Sequence, residues 1–422
     1  HLGRRPVGLD EAFSRLGLSA QDLSPAAALS RVVDLLVQQP PRALIFAGDL
    51  VDRDDDQWEA YSILEREMER LKEAGVPVYA IAGNHDGLVL PRLVNRVEGV
   101  HLLGAGGAWE RIELPGDGPA IDLLGWSFPS NSVTTCPLDC EEFESTRQGF
   151  RPGTLKLGVL HCDLGATSSR YAPVSKARLE SVGLDAWFLG HVHAPSNLSD
   201  SSPIGYLGSL VGLDAGESGS RGPWRVRVED GAVIAQQLSF GPIRWEQISV
   251  EVSEDDAREE DKVHACIQAA MSERFTADAS FDSAHCEVVV VRVDLSGNLL
   301  RRDGIRDLVS SCKASPFDFR TNDIQVIVER VRDTTRAAAD LDGLAKEPTP
   351  IGRVASRLLS LRAGDDPGLL DEAGRVVERV RAGGWDVDDD EYPSPGVPDL
   401  LERAAWRLLN SMLDQRREAQ SK

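Results

Sequence analysis

The stretch ALIFAGDLVDR, residues 43–53, decides the fold of this 422-residue sequence. Its first five residues predict a short buried strand, and the glycine that follows predicts a sharp turn at the strand's carboxyl end. A helical pattern precedes the strand at 26–39, and another follows it at 57–74. Because strands that alternate with helices are typical of α/β proteins, the sequence predicts a sheet flanked by helices.

The same alternation continues through the first 250 residues and predicts an α/β sandwich. An Asp-Gly pair at 230–231 adds the signal of a hairpin turn. The predicted strands after the first lie at 76–82, 121–124, 155–160, 185–189, 224–228 and 233–240.

Two composition changes divide the rest of the chain. After the acidic stretch 251–261, the strands 288–293 and 324–331 with the helix 302–309 between them predict a small α/β domain at 246–345. Beyond it, residues 346–422 are expected to be helical. The predicted helices are 350–362, 366–382 and 398–418, with an acidic loop at 386–395.

Composition excludes several classes of protein. The sequence has 41% hydrophobic and 27% charged residues, as ordinary globular proteins do, and contains no apolar run of the ~18 residues that a membrane helix needs. Six scattered cysteines without a CxxC pair indicate reduced thiols in a cytoplasmic protein. The net charge of −22 is unlike that of a generic nucleic-acid coat protein.

The chemistry lies in four polar clusters, each placed directly after a predicted strand. They are GDLVDR at 48–53, GNHD at 83–86, His161, and GHVH at 190–193. Because sites in open α/β sheets form outside the carboxyl ends of the strands, we expect these side chains to meet at one edge.

Carboxylate, amide and imidazole ligands together suit manganese, iron or zinc better than calcium. Asp49 is placed to bridge two such ions, while His191 and His193, two residues apart, would serve one ion each. The ions would clamp phosphate oxygens and activate a water molecule. His85 would then protonate the leaving oxygen, and Asp86 would orient His85 or stand as a plain surface carboxylate.

The four clusters, in this order, resemble those of the calcineurin-like metallophosphoesterases over residues 1–245. This resemblance implies a double-sheet α/β sandwich with a two-metal centre. HLGR at 1–4 and GYLGSL at 205–210 are further similar to segments of the SbcD and YhaO branch of DNA repair exonucleases. In that branch a small α/β capping domain follows the nuclease domain, which implies a cap at 246–345.

The resemblance implies a role for each matching residue. One divalent ion, most often manganese, would be held by His1, Asp49 and His193. The second would be held by Asp49, Asn84, His161 and His191, with His85 as the catalytic histidine. In this branch the motif begins two residues before the histidine with an aspartate, so we expect that ligand and the domain's first strand to precede His1.

For function, the resemblance implies 3′–5′ exonuclease and endonuclease activity on DNA in repair. It also implies an SMC-like coiled-coil ATPase partner bound through residues 350–418, for which self-packing or a second copy of the chain is the alternative. Eight arginines are candidates for a basic rim that binds DNA: Arg4, Arg5, Arg53, Arg92, Arg96, Arg170, Arg178 and Arg221.

Two other functions remain open from the sequence. The same metal centre serves phosphoesterases that act on nucleotides, lipids or phosphoproteins, because it binds only the phosphate. A non-catalytic scaffold subunit of an ATPase complex is the second alternative, against which the intact set of polar clusters argues.

Overall fold

The computed structural model describes residues 1–52, 57–166, 168–200, 202–277, 285–321, 324–380 and 396–420. The chain divides into two compact units: unit 1 is His1–Trp245 with Ser280–Val289, and unit 2 is Glu246–Ala279 with Val290–Lys422. The predicted helical region falls within unit 2, and so does the predicted cap except for residues 280–289, which belong to unit 1. Arg53 and the predicted loop 386–395 lie outside the described residues.

Unit 1 is built on two sheets and a hairpin. The first sheet is parallel, in the order β1 (Leu44–Phe46), β2 (Val78–Ala80), β3 (Val100–Leu102). The second has the order β4 (Trp109–Glu113), β5 (Ile121–Trp126), β6 (Leu155–His161), β7 (Ala186–Gly190), β8 (Ile204–Tyr206), and is parallel except for β4. The hairpin joins β9 (Trp224–Glu229) to β10 (Ala232–Gln237).

Unit 1 also contains helices. They are α1 (Asp10–Arg15), α2 (Pro25–Gln38), α3 (Gln57–Glu73), α4 (Leu90–Val94), α5 (Glu141–Gln148) and α6 (Lys176–Val182). Buried residues of α2 and α3 share a core with β1 and β2. Buried residues of α5 and α6, Phe143 and Leu179, share a core with the second sheet.

Successive residues of β5 pack into two different hydrophobic cores, one on each face of the second sheet. Leu123 of β5 lies in the core that also holds Ile45 of the first sheet, whereas Leu124 packs on the side of α5 and α6. Because side chains alternate along a strand, both faces of the sheet are buried, which explains the continuous apolar runs in its strands. The predicted α/β sandwich is confirmed, and its layers run helix, sheet, sheet, helix.

A four-stranded sheet in the order β11-β12-β15-β14 has most of its residues in unit 2. In chain order the elements are β11 (Ile243–Glu251), α7 (Glu260–Ala277), β12 (Val288–Ser296), β13 (Asn298–Leu299), α8 (Asp303–Ala314), β14 (Phe317–Thr321), β15 (Ile324–Asp333) and β16 (Arg336–Ala337). The acidic stretch 251–261 thus leads into a long helix. The two short strands β13 and β16 pair with each other.

The remaining helices are α9 (Leu341–Ala345), α10 (Pro350–Ala363), α11 (Pro367–Val380) and α12 (Val397–Gln420). Leu358 of α10 and Leu409 of α12 are fully buried in one apolar cluster. The buried Arg302 side chain ties α12 to the sheet, since it binds Asp333 at 3.2 Å and Asp414 at 2.6 Å. Among the described residues, no helix has both the length and the hydropathy needed to cross a membrane.

Candidate metal centre

The carboxyl ends of strands from both sheets of unit 1 meet at one place. β1 leads into Asp49, β2 into Asn84, β6 ends at His161, and β7 leads into His191. Glycine is required where these ends approach each other. A Cβ on Gly48 would lie 2.5 Å from His161 Nδ1, and a Cβ on Gly190 would overlap the Ala47 carbonyl oxygen.

His161 is fixed in one orientation by the backbone. Its Nδ1 donates to the Ala47 carbonyl oxygen at 3.0 Å, and a carbonyl can only accept. Its Nε2 faces two further oxygens, Asn84 Oδ1 at 2.9 Å and Asp49 Oδ2 at 3.2 Å. An unprotonated Nε2 would direct its lone pair at two acceptors, so this arrangement requires a cation, either a proton or a metal ion.

A second pair of imidazoles repeats this arrangement. His193 Nδ1 lies 2.5 Å from Glu217 Oε1, and His1 Nδ1 lies 3.1 Å from Asp52 Oδ1. Each carboxylate favours a proton on the nearby Nδ1, which leaves the two Nε2 atoms as acceptors. Those two atoms face each other at 2.9 Å, a separation at which they can share one proton or bind one metal ion.

His191 completes the first group. Its Nδ1 lies 3.1 Å from Asn84 Oδ1, and its ring packs on that of His161 with 5.3 Å between centroids. Burial, followed by the charge of His161, lowers the pKa of His191 to about 4, so the ring is neutral and able to act as a ligand. The backbone φ of His191 is +104° and that of Asp49 is +54°. Such conformations cost on the order of 1–3 kcal/mol each and cluster at functional sites.

The charge of Asp49 is held by its neighbours. Burial alone would raise the pKa of this carboxyl, but the positive charge and hydrogen bond of His161, and the charges of His1 and His85, hold it well below its usual range. The same interaction raises the pKa of His161 against the effect of burial. The centre therefore keeps a buried carboxylate ionised beside imidazoles, which is the electrostatics of a cation site.

His85 lies beside these groups without its ring entering them. Its side chain is 44% exposed, its Nδ1 lies 3.1 Å from the Asp52 carbonyl oxygen, and its backbone N–H donates to Asp49 Oδ1 at 3.0 Å. The ring stands edge-on to His1, with 5.3 Å between centroids. Since a carbonyl only accepts, Nδ1 carries the proton and Nε2 is left free of protein partners among the described residues.

The structure corrects the prediction that Asp86 orients His85. Asp86 is fully buried, and its carboxylate accepts from the backbone N–H groups of Leu50 at 2.7 Å and Gly83 at 2.7 Å. It therefore joins the loops after β1 and β2. Burial, with the charge of Asp49, raises the pKa of Asp86 to about 6. The carboxylate beside His85 is instead that of Asp52, with Oδ1 3.5 Å from His85 Nδ1.

Two residues of the centre were missed by sequence reasoning. Asp52 lies within the GDLVDR stretch, and the signal was its position three residues after Asp49. Burial would raise its pKa, but the hydrogen bond and charge of His1 lower it to about 2. Glu217 lies in a loop 24 residues after its partner His193, and an acidic residue in a glycine-rich loop is too common to single out.

The donor set fits divalent metal ions. Among the described residues, no group of three or more His, Cys, Asp or Glu side chains is arranged around a point where an ion would sit. The ligand atoms of the two groups instead lie in direct contact. Their separations of 2.9–3.2 Å are nevertheless those of neighbouring ligands on an ion with bonds of about 2.1 Å. His161, Asp49, Asn84 and His191 would form one ligand group, and His1 and His193 belong to the other.

Unit 1 thus combines a double-sheet α/β sandwich with carboxylate, amide and imidazole side chains at its strand ends. The sequence profile described as calcineurin-like phosphoesterase matches residues 23–195. These residues are therefore similar to calcineurin-like phosphoesterase domains, and the resemblance of the sequence motifs to this superfamily is confirmed.

One curated relative is the "Uncharacterized metallophosphoesterase YhaO" of Bacillus subtilis (strain 168). It is 27% identical over 240 residues, which are 55% of this chain and 56% of that protein. The chain thus matches little more than half the length of this relative. A solved crystal structure aligns with 50% of this chain and 93% of its own at 10% identity, but its TM-score of 0.32 is too low to establish a shared fold.

Proposed function

We propose that this chain is a metal-dependent phosphodiesterase that hydrolyses DNA, as a 3′–5′ exonuclease and endonuclease in DNA repair. The hydrolytic part rests on one observation, two groups of facing acceptor atoms beside the half-exposed His85. The first group is His161 with Asp49 and Asn84, and the second is His1 with His193. Two divalent ions, manganese first and iron or zinc next, would be held there, where they polarise phosphate oxygens and acidify water.

The residues of the chain divide the work. The acceptor groups would hold the ions, which would in turn bind a phosphate group. His85 has its Nδ1 proton committed to the Asp52 carbonyl oxygen, so the ring would have to carry a second proton, on Nε2, to donate it to the leaving oxygen. His161 and Asp49 are buried, so bulk water does not screen the charge of the Asp49 carboxylate.

Two features favour DNA as the substrate. HLGR at 1–4 and GYLGSL at 205–210 are similar to segments of the exonuclease branch, and the chain contains unit 2. Exposed arginines near the centre also favour DNA. Arg4 Nε lies 3.6 Å from Asp52 Oδ2, and Arg170 precedes Tyr171, whose ring packs on His191. Other arginines of the expected rim are bound elsewhere: Arg5 pairs with Glu59, and Arg178 pairs with Asp139.

The second candidate is a phosphoesterase for a nucleotide, lipid or phosphoprotein. The observation that favours it is the net charge of −22, because phosphate contacts dominate the affinity of proteins for DNA. The third candidate, a non-catalytic scaffold subunit, would have no need of the two facing acceptor groups.

The test is incubation of the chain with linear DNA and with bis-p-nitrophenyl phosphate, each with Mn²⁺ and with chelator. We expect hydrolysis of both substrates with Mn²⁺ and none with chelator, restored when Mn²⁺ is added back. Cleavage of the small diester with DNA left intact would move the function to the second candidate. If neither substrate were hydrolysed in the presence of Mn²⁺, the third candidate, a non-catalytic scaffold subunit, would be the function that remains.

We also propose that residues 350–418 form a partner surface, for an SMC-like coiled-coil ATPase or for a second copy of the chain. Val376 and Val380 of α11 and Leu400 and Leu408 of α12 are exposed apolar side chains. Sedimentation of the chain alone tests the choice. We expect a monomer, which leaves this surface for another protein. A dimer that a Leu408→Glu chain no longer forms would assign the surface to a second copy instead.

A location in the cytoplasm belongs to the same proposal. All six cysteines are free thiols in the structure, as expected in a reducing compartment.

A further inference from the structure

We propose that Glu217 is a positioning residue, which fixes His193 in the orientation and tautomer that a metal ligand needs. This inference rests on the proposed role of the centre in binding divalent ions. Glu217 Oε1 lies 2.5 Å from His193 Nδ1, and Glu217 Oε2 accepts the Leu213 backbone N–H at 2.8 Å. With both oxygens engaged and only 4% of the residue exposed, the carboxylate has a fixed position.

The consequence for His193 follows from the chemistry of imidazole. A carboxylate at Nδ1 holds the ring proton there, so Nε2 keeps its lone pair. Nε2 is the atom that faces His1 Nε2 at 2.9 Å. Carboxylates that hydrogen-bond the distal nitrogen of a metal-binding histidine fix its ring and raise its basicity, and their loss costs about 10–100-fold in metal affinity or activity.

The chain around Glu217 is built to hold His193 from two sides. The Ser209 backbone N–H donates to the His193 carbonyl oxygen at 2.9 Å, so one segment, residues 208–219, contacts both the backbone and the ring of this histidine. Gly208 allows the approach, because a Cβ there would lie 2.7 Å from that carbonyl oxygen and its φ is +74°.

Trp245 anchors the same segment. Its indole Nε1 donates to the Gly212 carbonyl oxygen at 2.9 Å, and its own carbonyl oxygen accepts the Gly219 N–H at 2.8 Å. Trp245 is itself 3% exposed. The 208–219 segment is therefore tied at two points to a buried residue, and Glu217 lies between those points.

The experiment compares Mn²⁺ binding by calorimetry in the wild-type chain and in Glu217→Gln, which keeps the size of the side chain and removes its charge. We expect Mn²⁺ affinity to fall about 10–100-fold for the ion bound by His193. Glu67→Gln is the matched control. Glu67 is a fully buried glutamate of α3 that binds Arg66 and Arg70, and we expect its loss to lower stability without changing Mn²⁺ affinity.

Unchanged Mn²⁺ affinity in a folded Glu217→Gln chain would overturn the proposal, and so would an equal loss in the Glu67→Gln control. A second measurement needs no Glu217 variant. Nitrogen-15 NMR of the wild-type chain without metal reports which ring nitrogen of His193 carries the proton, with the signal assigned by its loss in His193→Asn. Protonated Nδ1 is expected, and protonated Nε2 alone would overturn the proposal.

These readouts separate the inference from the proposed function, because neither uses a substrate. If the chain binds Mn²⁺ with the expected dependence on Glu217 but leaves DNA intact, the role of Glu217 stands and the proposed nuclease function is rejected.

Discussion

Replacing His85 with alanine is expected to lower the Mn²⁺-dependent hydrolysis of DNA by about 10²–10⁴-fold while leaving Mn²⁺ binding within threefold of the wild type. The physical reason is the separation of this ring from the acceptor groups. Its Nδ1 is bound to the Asp52 carbonyl oxygen, and its side chain is 44% exposed, so its loss removes a proton donor without removing a ligand.

The leaving group sharpens this prediction. A p-nitrophenolate ion leaves without help from an acid, whereas the alkoxide of a deoxyribose does not. If His85 protonates the leaving oxygen, the substitution costs far more with DNA than with bis-p-nitrophenyl phosphate. An equal loss with the two substrates would contradict that role and would point to His85 acting on phosphate binding instead.

His101→Ala is the matched control for His85. His101 lies on β3, its side chain is 49% exposed, and its Nε2 lies 2.7 Å from Glu110 Oε1. It thus resembles His85 in exposure and in having an oxygen partner, but it contacts no residue of the centre. We expect wild-type rates on both substrates from this variant.

The parts of the site that could be predicted from sequence are those that strand ends determine. Asp49, Asn84 and His191 each follow an apolar strand closely, and His161 is the last residue of one. Carboxyl ends of parallel strands must emerge at one edge. The α/β layers were predictable for the same reason, since apolar runs of strand length alternate with helical periods.

The partners of these residues could not be predicted, because tertiary contacts choose them. Asp86 adjoins His85 in sequence, yet its carboxylate turns inward to backbone N–H groups while Asp52 approaches the His85 ring. In the same way, the long α7 could not be predicted beyond the acidic stretch 251–261 that leads into it. Its buried face is the narrow row Val263, Ile267, Met271 and Phe275, with charged and small residues between.

The second large effect is expected from Asp49→Asn, which should abolish Mn²⁺-dependent hydrolysis, with a loss of roughly 10³-fold or more. The amide has the same shape and keeps an oxygen for the His85 backbone N–H. It lacks the negative charge that faces His161 Nε2 at 3.2 Å, so the first ligand group becomes one of neutral donors only. A neutral buried group binds a divalent cation far more weakly than an ionised one.

Thermal unfolding gives a readout of the same substitution without substrate. A ligand that binds only the folded chain stabilises it by about 2.7 kcal/mol at 100 times its Kd, so Mn²⁺ is expected to raise the Tm of the wild type. The rise should be lost in Asp49→Asn. Asp122→Asn is the matched control, because Asp122 is a fully buried aspartate of β5 that binds Arg111 and Thr154 away from the centre.

The two variants are therefore expected to behave oppositely. Asp122→Asn removes the charge from a buried ion pair at 3.1 Å, so its Tm without metal should fall while the Mn²⁺-induced rise persists. Asp49→Asn should lose the rise itself. If Mn²⁺ still stabilised the Asp49→Asn chain as it does the wild type, the ions would have to bind elsewhere, and the assignment of the strand-end cluster as the metal centre would be wrong.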